Sequence, residues 1–347
     1  MRPNIVFGIQ SAIHRPETLA QLVDALAGYP VLIHHDFGQQ ADLRINRPNA
    51  FFVPEPEATG WSGWGTMRAI TKTVRHAIEH LNCDYFQLLT PVDLPLRPLS
   101  EFEAYISADA HDVAVDHVFL DADPIAFMCF AYRAWAPEGS ALYRLQWLLH
   151  EAYFEPGYAT VNRHGLSFPE RAREARGGGL AWRARAAEWL TGRLFDFSAR
   201  AHPGALRAAA GGTWFGANRR GCEALLRAAD DPAQCARFQS IFSPDELMVP
   251  TVLANAGLRV APGNLWVSPF EGARPRWLGM DDLPTLRASG RYFARKFPDD
   301  PQAPVRVALL AQLAGNAPEN GPPERVAQAD RAGQGKSPDQ PGQAAGS

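Results

Sequence analysis

Lysine is almost missing from this chain: Lys72, Lys296 and Lys336 are the only three among 34 basic residues, and no basic run forms anywhere. With a formal charge of -3, there is no electrostatic footprint for nucleic acid or for an anionic membrane surface. Cysteine is also scarce. Cys83, Cys129, Cys222 and Cys235 are widely spaced with no Cys-x-x-Cys pair, which excludes a zinc knuckle and a disulfide framework and fits a reducing compartment. Long apolar runs are lacking as well. The stretch at 5–9 is shorter than the apolar core of a signal peptide, and no later segment approaches the roughly 20 apolar residues of a spanning helix. A cytoplasmic protein without a transmembrane segment is the expectation. No G-x-G-x-x-G turn follows the first strand pattern, so a dinucleotide-binding fold of that kind is disfavoured.

What is present describes a chain of 347 residues, 46% apolar and 20% charged, long enough to bury a sizeable core. Residues 4–9 read as a first strand, and Pro16-Glu17-Thr18 opens an amphipathic helix that Gly28 ends. Residues 29–33 are a second buried strand running out into His34-His35-Asp36. Neighbours along a strand point to opposite faces, so His34 and His35 do not suit one metal ion, and a contact from Asp36 to a ribose is the more economical idea. Residues 51–53 suggest a short third strand. A glycine-rich turn, Trp61-Ser62-Gly63-Trp64-Gly65, then leads into a helix at 66–80 whose apolar residues keep helical spacing. The fold class expected from this order is α/β, a mixed, mostly parallel sheet flanked by helices.

The chain is best organised around residues 85–98, an apolar run of strand length that ends in a proline-punctuated turn holding Asp93. Ligands in open α/β sheets collect beyond the carboxyl ends of strands, which makes Asp93 a candidate contact; aspartate is also a common turn former. Residues 113–119 read as one further strand. It ends in Asp121-Ala122-Asp123, a carboxylate pair of the kind that holds Mg²⁺ or Mn²⁺ against a nucleotide diphosphate in many sugar transferases. Two aromatic helices are predicted at 141–153 and 170–194. A short glycine-bounded strand with Trp214 follows, then Ser243-Pro244-Asp245-Glu246 before an apolar run. That tetrapeptide has the spacing of a capping box, with Ser243 as N-cap and Glu246 reaching back to it. From residue 316 the composition turns to Gly, Pro, Gln and Ala without periodicity and reads as a disordered tail after a single folded unit at 1–312.

Several of these segments together resemble the core-2/I-branching glycosyltransferases, family 14. The resemblance is carried by Ile33-His34-His35-Asp36, by Trp64-Gly65-Thr66-Met67, and by Leu88-Leu89-Thr90-Pro91-Val92-Asp93-Leu94-Pro95, where Thr90 replaces the family's usual serine. Two further segments extend it: Gly211-Gly212-Thr213-Trp214-Phe215 and Ser243-Pro244-Asp245-Glu246. Phe293-Ala294-Arg295-Lys296-Phe297 is close to the protein xylosyltransferase branch. The resemblance implies a GT-A-like fold and a UDP-sugar donor, either UDP-N-acetylglucosamine or UDP-xylose. It implies inversion at the anomeric carbon without a metal or other cofactor, and a glycan or protein hydroxyl as acceptor. It also implies roles: Glu246 as catalytic base, Asp36 and Asp93 in the donor pocket, Arg295 and Lys296 on the diphosphate, and Trp214 and Asp245 on the acceptor side. Relatives are membrane-anchored, so peripheral membrane association is part of the same expectation. Use of Asp121 and Asp123 by a metal-dependent transferase, and a carbohydrate-binding protein without chemistry, are the alternatives.

Overall fold

Alternation along the strands decides the architecture. The computed structural model describes residues 3–60, 63–120, 206–239, 241, 243–261, 265–271 and 274–315. Asp121, Asp123, the helices expected at 141–153 and 170–194, and the tail from 316 lie outside the described residues. In strand β1 (Ile5–Ser11), Val6 faces one apolar cluster while Ile5, Phe7 and Ile9 face another. In β2 (Val31–His35) Leu32 parts in the same way from Val31 and Ile33, and in β4 (Tyr85–Leu89) Phe86 and Leu88 part from Tyr85 and Leu89. Both faces of this sheet are therefore buried, as near-continuous apolar strands require.

Strand β3 (Ala50–Phe52), β2, β1 and β4 are parallel neighbours. Two further strands, β6 (Val113–Val115) and β9 (Phe215–Asn218), complete a six-stranded mixed sheet in the order β3-β2-β1-β4-β9-β6, with β9 antiparallel to both of its neighbours. The residue facing β4 at the tightest point of that pairing is Gly216. A Cβ there would stand 2.3 Å from Tyr85 Oη and 2.6 Å from Gln87 Oε1, so the buried ends of these two β4 side chains fill the space that the bare position leaves. On one face of the sheet lie α1 (Pro16–Ala25) and α3 (Leu99–Ser107), through Leu19, Leu22, Val23 and Phe102. The other face is covered by α2 (Trp64–His80), α4 (Arg219–Ala229) and α6 (Asp245–Asn255), the last following a short helix α5 (Pro232–Phe238). This is a mixed α/β chain with its mixed sheet flanked by helices, as the order of apolar patterns predicts.

The expected strand at 113–119 is in fact two. Val113–Val115 belongs to the large sheet, whereas β7 (Val118–Phe119) pairs antiparallel with β8 (Ala209–Ala210) in a separate ribbon. Asp116 and His117 lie at the break. A second sheet of three strands joins β5 (Leu94–Pro95), β10 (Trp266–Val267) and β13 (Phe293–Ala294), with β13 in the middle, parallel to β10 and antiparallel to β5. Between β10 and β13 run a small hairpin of β11 (Phe270–Glu271) and β12 (Arg274–Pro275) and the short helix α7 (Leu283–Ala288).

The last element among the described residues, α8 (Pro304–Leu313), opens with proline in its first turn and packs Val305 and Leu309 into the face shared with α1. Its Arg306 is wholly buried. It donates from Nε to Gln21 Oε1 at 2.6 Å, and burial holds its pKa down to about 10, so it stays charged at neutral pH.

Candidate functional site

The carboxyl ends of β1, β2 and β4 open on one edge of the large sheet, and β9, being antiparallel, contributes its amino end to the same edge. Asp36, Asp93 and Trp214 all reach that edge from sequence positions far apart. The three-stranded sheet abuts it, because β5 follows directly on the turn that leaves β4. It is this second sheet that delivers Arg295 to Asp93: Phe293 pairs with Pro95 and Ala294 with Leu94, so the next step of the antiparallel ladder sets Arg295 beside Asp93.

Asp93 is 0% exposed. Its Oδ2 accepts from the Thr90 amide at 2.6 Å, which closes the turn, while Oδ1 stands 3.6 Å from Arg295 Nε and finds no hydrogen-bond partner among the described residues. Burial pushes its carboxyl up to about 6 against the opposing pull of Arg295. The turn thus occupies one oxygen of Asp93 and leaves the other facing Arg295.

The Arg295 guanidinium carbon lies 4.5 Å from the centre of the Trp214 ring and 5.6 Å from that of Trp266, the two indoles being 6.0 Å apart. Cation–π attraction to desolvated rings holds it in place. Burial pushes its pKa down, with the charges of Asp93 and Glu246 opposing. Lys296 follows across a cis peptide, with its Nζ 4.0 Å from the Trp277 ring centre. Burial lowers its pKa first and the neighbouring Arg295 charge adds to that, while Asp299 works against both. Phe293 and Phe297 are buried on either side, as the sequence pattern leads one to expect, and they seat this segment in the core.

Glu246 sits half-buried in the first turn of α6. Two bonds tie that turn to the segment between β8 and β9 that carries Trp214: the Gly211 amide donates to the Glu246 carbonyl at 3.0 Å, and the Thr213 hydroxyl donates to the buried Asp245 carboxylate. The expected capping box is not built. The helix N-cap is Pro244, which has no side-chain oxygen to offer, and Ser243 lies in the left-handed region at φ 49°. The left-handed backbone at Ser243, in place of the extended backbone of an N-cap, starts the helix one residue later than the spacing suggests.

Asp36 is placed on the same edge but its carboxylate is engaged. Oδ1 accepts from the Gly38 amide at 3.0 Å; Oδ2 accepts from Gln39 Nε2 at 2.7 Å, the Thr59 amide at 2.7 Å and the Thr59 hydroxyl at 2.9 Å. These bonds pin the loop before α2, where a Cβ on Gly65 would meet the Ala58 carbonyl at 2.1 Å. Asp36 therefore shapes the edge by holding two loops together. His34 and His35 do diverge: His34 Nε2 accepts from the Glu57 amide at 2.8 Å, while His35 Nε2 donates to the Gln40 carbonyl at 2.7 Å and Nδ1 faces the Ser11 hydroxyl at 3.1 Å.

Burial disfavours charge on Asp36, yet its four donors win and keep the carboxyl well below the ordinary aspartate range. A folded-state pKa below the unfolded value of about 4 means stability that is complete above that pH and is lost as pH falls toward the folded value. In Asp36→Asn an amide group faces donors, and about 2–4 kcal/mol is expected to go. Thermal denaturation checks this: a Tm lower by about 5 °C at pH 7, with a smaller difference from wild type near pH 3. An equal difference at both pH values would mean that charge on Asp36 plays no part.

Residues missed by sequence reasoning are Trp266, Ser268, Trp277 and Arg306. Trp266 opens a two-residue strand that Ser268 directly follows, and Arg306 is a single charge two positions after Pro304 in an apolar helix, so no local pattern announces a site. Among the described residues no three His, Cys, Asp or Glu side chains gather as a metal-ligand group, and no helix is long and apolar enough to cross a membrane. Asp112, the other strongly perturbed carboxylate, lies at the opposite edge. Arg259 grips it first through hydrogen bonds that hold its pKa far down, and its role is to fasten β6 to the segment after α6. Comparison with protein-family models returned no match, and comparison with curated proteins returned none either.

Proposed function

We propose that this protein is an inverting glycosyltransferase of GT-A-like fold that moves N-acetylglucosamine or xylose from a UDP-sugar to an acceptor hydroxyl, forming a β linkage without a metal ion. One observation carries the reading. Asp93, Trp214, Glu246 and Arg295 come from four separated stretches, and they meet at the ligand-binding edge of an α/β sheet.

The chemistry follows from what those groups can do. The acceptor oxygen attacks the anomeric carbon from the face opposite the diphosphate while its proton passes to the Glu246 carboxylate. The bond from the anomeric carbon to the diphosphate oxygen breaks, and UDP departs with the electron pair toward Arg295 and Lys296. A guanidinium forks onto two phosphate oxygens and an ammonium adds a point charge, which together supply the positive charge that a divalent ion supplies elsewhere. Trp214 beside this pair offers a ring on which an acceptor sugar can stack.

The test is a panel of UDP-sugars read by UDP release and thermal shift. UDP-N-acetylglucosamine or UDP-xylose is expected to raise the Tm and to release UDP at an undiminished rate in excess EDTA. Loss of activity in EDTA that Mn²⁺ restores, together with inactivation by Asp123→Asn, would move the diphosphate site to Asp121 and Asp123. A Tm shift with no UDP release from any donor and acceptor would favour the binding protein without chemistry.

A further inference from the structure

The three-stranded sheet ends in a row of which the proposed reaction draws on Arg295 and Asp93 and leaves a third member, Ser268, without a role. Val267 pairs with Ala294, and the Arg295 amide donates to the Val267 carbonyl at 3.0 Å, so the next step of the parallel ladder sets Ser268 beside Arg295. On the other flank the antiparallel ladder sets Asp93 beside the same arginine. Paired residues in neighbouring strands face the same side, and so do residues two apart along one strand. Ser268, Arg295, Asp93 and Trp266 therefore share one face, consistent with the Trp266 ring lying under the Arg295 guanidinium.

All four carry a buried polar atom with no hydrogen-bond partner among the described residues: Ser268 Oγ, Arg295 Nε, Asp93 Oδ1 and Trp266 Nε1. Ser268 is 7% exposed. A lone orphan of this kind is a small cost that folded proteins tolerate; three along one register row, with a fourth two residues back on the same face, is a concentration that asks for a ligand. Three of the four are N–H or O–H donors. The one acceptor, Asp93 Oδ1, is already spent electrostatically on Arg295. What remains on offer is a set of donors around a guanidinium, and the complement of that set is an oxyanion.

We infer that Ser268 Oγ and Trp266 Nε1 join Arg295 in an oxyanion socket that takes a phosphate oxygen of a diphosphate ligand, with Asp93 positioning the guanidinium from the far flank. The inference rests on the proposed function for the identity of the natural ligand, a nucleoside diphosphate, but the socket itself requires only the phosphate. Of the two donors, Ser268 lies beside Arg295 away from Asp93, so an anion bound there is shielded from the buried carboxylate.

The socket makes an unusual demand on stability. A hydroxyl that bonds a ligand and nothing else costs the empty protein free energy, so removing it should not destabilise that state. The experiment uses the full chain, with inorganic pyrophosphate as the probe, titrated by calorimetry into wild type, Ser268→Ala and Trp266→Phe. Ser268→Ala is expected to have an unchanged or slightly raised Tm without ligand and to bind pyrophosphate about tenfold more weakly. Trp266→Phe keeps a ring under Arg295 and loses only the N–H donor and some ring area, and a similar weakening is expected. Absence of pyrophosphate binding to wild type, or unchanged affinity in both variants, would overturn the socket. So would a Ser268→Ala protein whose Tm falls while its affinity holds, since that is the signature of a structural hydroxyl. The failures are separable: pyrophosphate bound through Ser268 with no UDP-sugar accepted would sink the glycosyltransferase and leave the socket, whereas UDP release unaffected by Ser268→Ala and Trp266→Phe would do the reverse.

Discussion

Arg295→Ala is expected to lower UDP-sugar turnover by about 10²–10³, the worth of a preorganised group that meets developing charge in the transition state. The protein should also lose stability, because Asp93 is wholly buried and Arg295 is its ion-pair partner. Two circumstances soften that loss. The Asp93 carboxyl is pushed up to about 6, so protonation near neutral pH is a modest step, and Thr90 still donates to its other oxygen. A second substitution separates the two effects. In Arg295→Ala/Asp93→Asn no unpaired carboxylate remains, and the Tm should recover most of what the single variant lost. Turnover should not recover, since no cation has returned to the leaving group. If the double variant regains both, the pair is a structural ion pair and the diphosphate lies elsewhere. Arg295→Lys adds a finer test: it keeps a charge but loses the planar fork and the stacking over Trp214 and Trp266, so turnover is expected between wild type and alanine.

The parts legible in the sequence are those governed by local patterns. Residues 85–89 form a central strand buried on both faces because five apolar or sheet-compatible side chains stand in a row before a turn, and nothing outside the segment is needed to see it. Asp93, Trp214, Glu246 and Arg295 were likewise visible as candidates, each in its own short motif. What no local pattern could state is the second sheet. Its three strands are two residues each and come from three distant segments, so hydrophobic periodicity has nothing to count. Yet that sheet is what sets Arg295 between Asp93 and Ser268. The fate of Asp36 was hidden for a related reason: its four donors include both groups of Thr59, 23 positions away, and only the folded chain shows the carboxylate already occupied. Ser243 misled in a different way. The capping-box spacing is met in the sequence, but Ser243 takes the left-handed conformation at φ 49°, which an N-cap does not have, so its hydroxyl is not where it would serve.

That displacement sharpens the case for Glu246, because the bland explanation for a glutamate here was to cap its own helix. With Pro244 as N-cap and Ser243 left-handed, the reciprocal pair of bonds that defines the box does not form. Glu246 instead stands in the first turn of a helix tied to the segment that carries Trp214, close enough that its charge bears on Arg295. Glu246→Gln keeps the shape, keeps one oxygen acceptor and removes the capacity to take up a proton. The variant is expected to retain its Tm within about 2 °C, because glutamine fills the same half-buried space in the first turn and costs only the favourable interaction of the charge with the helix dipole and with Arg295. Its affinity for UDP should match wild type, since Arg295 and Lys296 are untouched. Transfer to an acceptor should fall by roughly 10²–10⁴, the usual worth of a positioned general base. Measured together, single-turnover transfer, UDP affinity and Tm distinguish the outcomes. Near-normal transfer would remove Glu246 from the chemistry and pass the role to Asp245. That carboxylate is already committed to the Thr213 hydroxyl, so it would have to give up this bond before accepting a proton from a sugar.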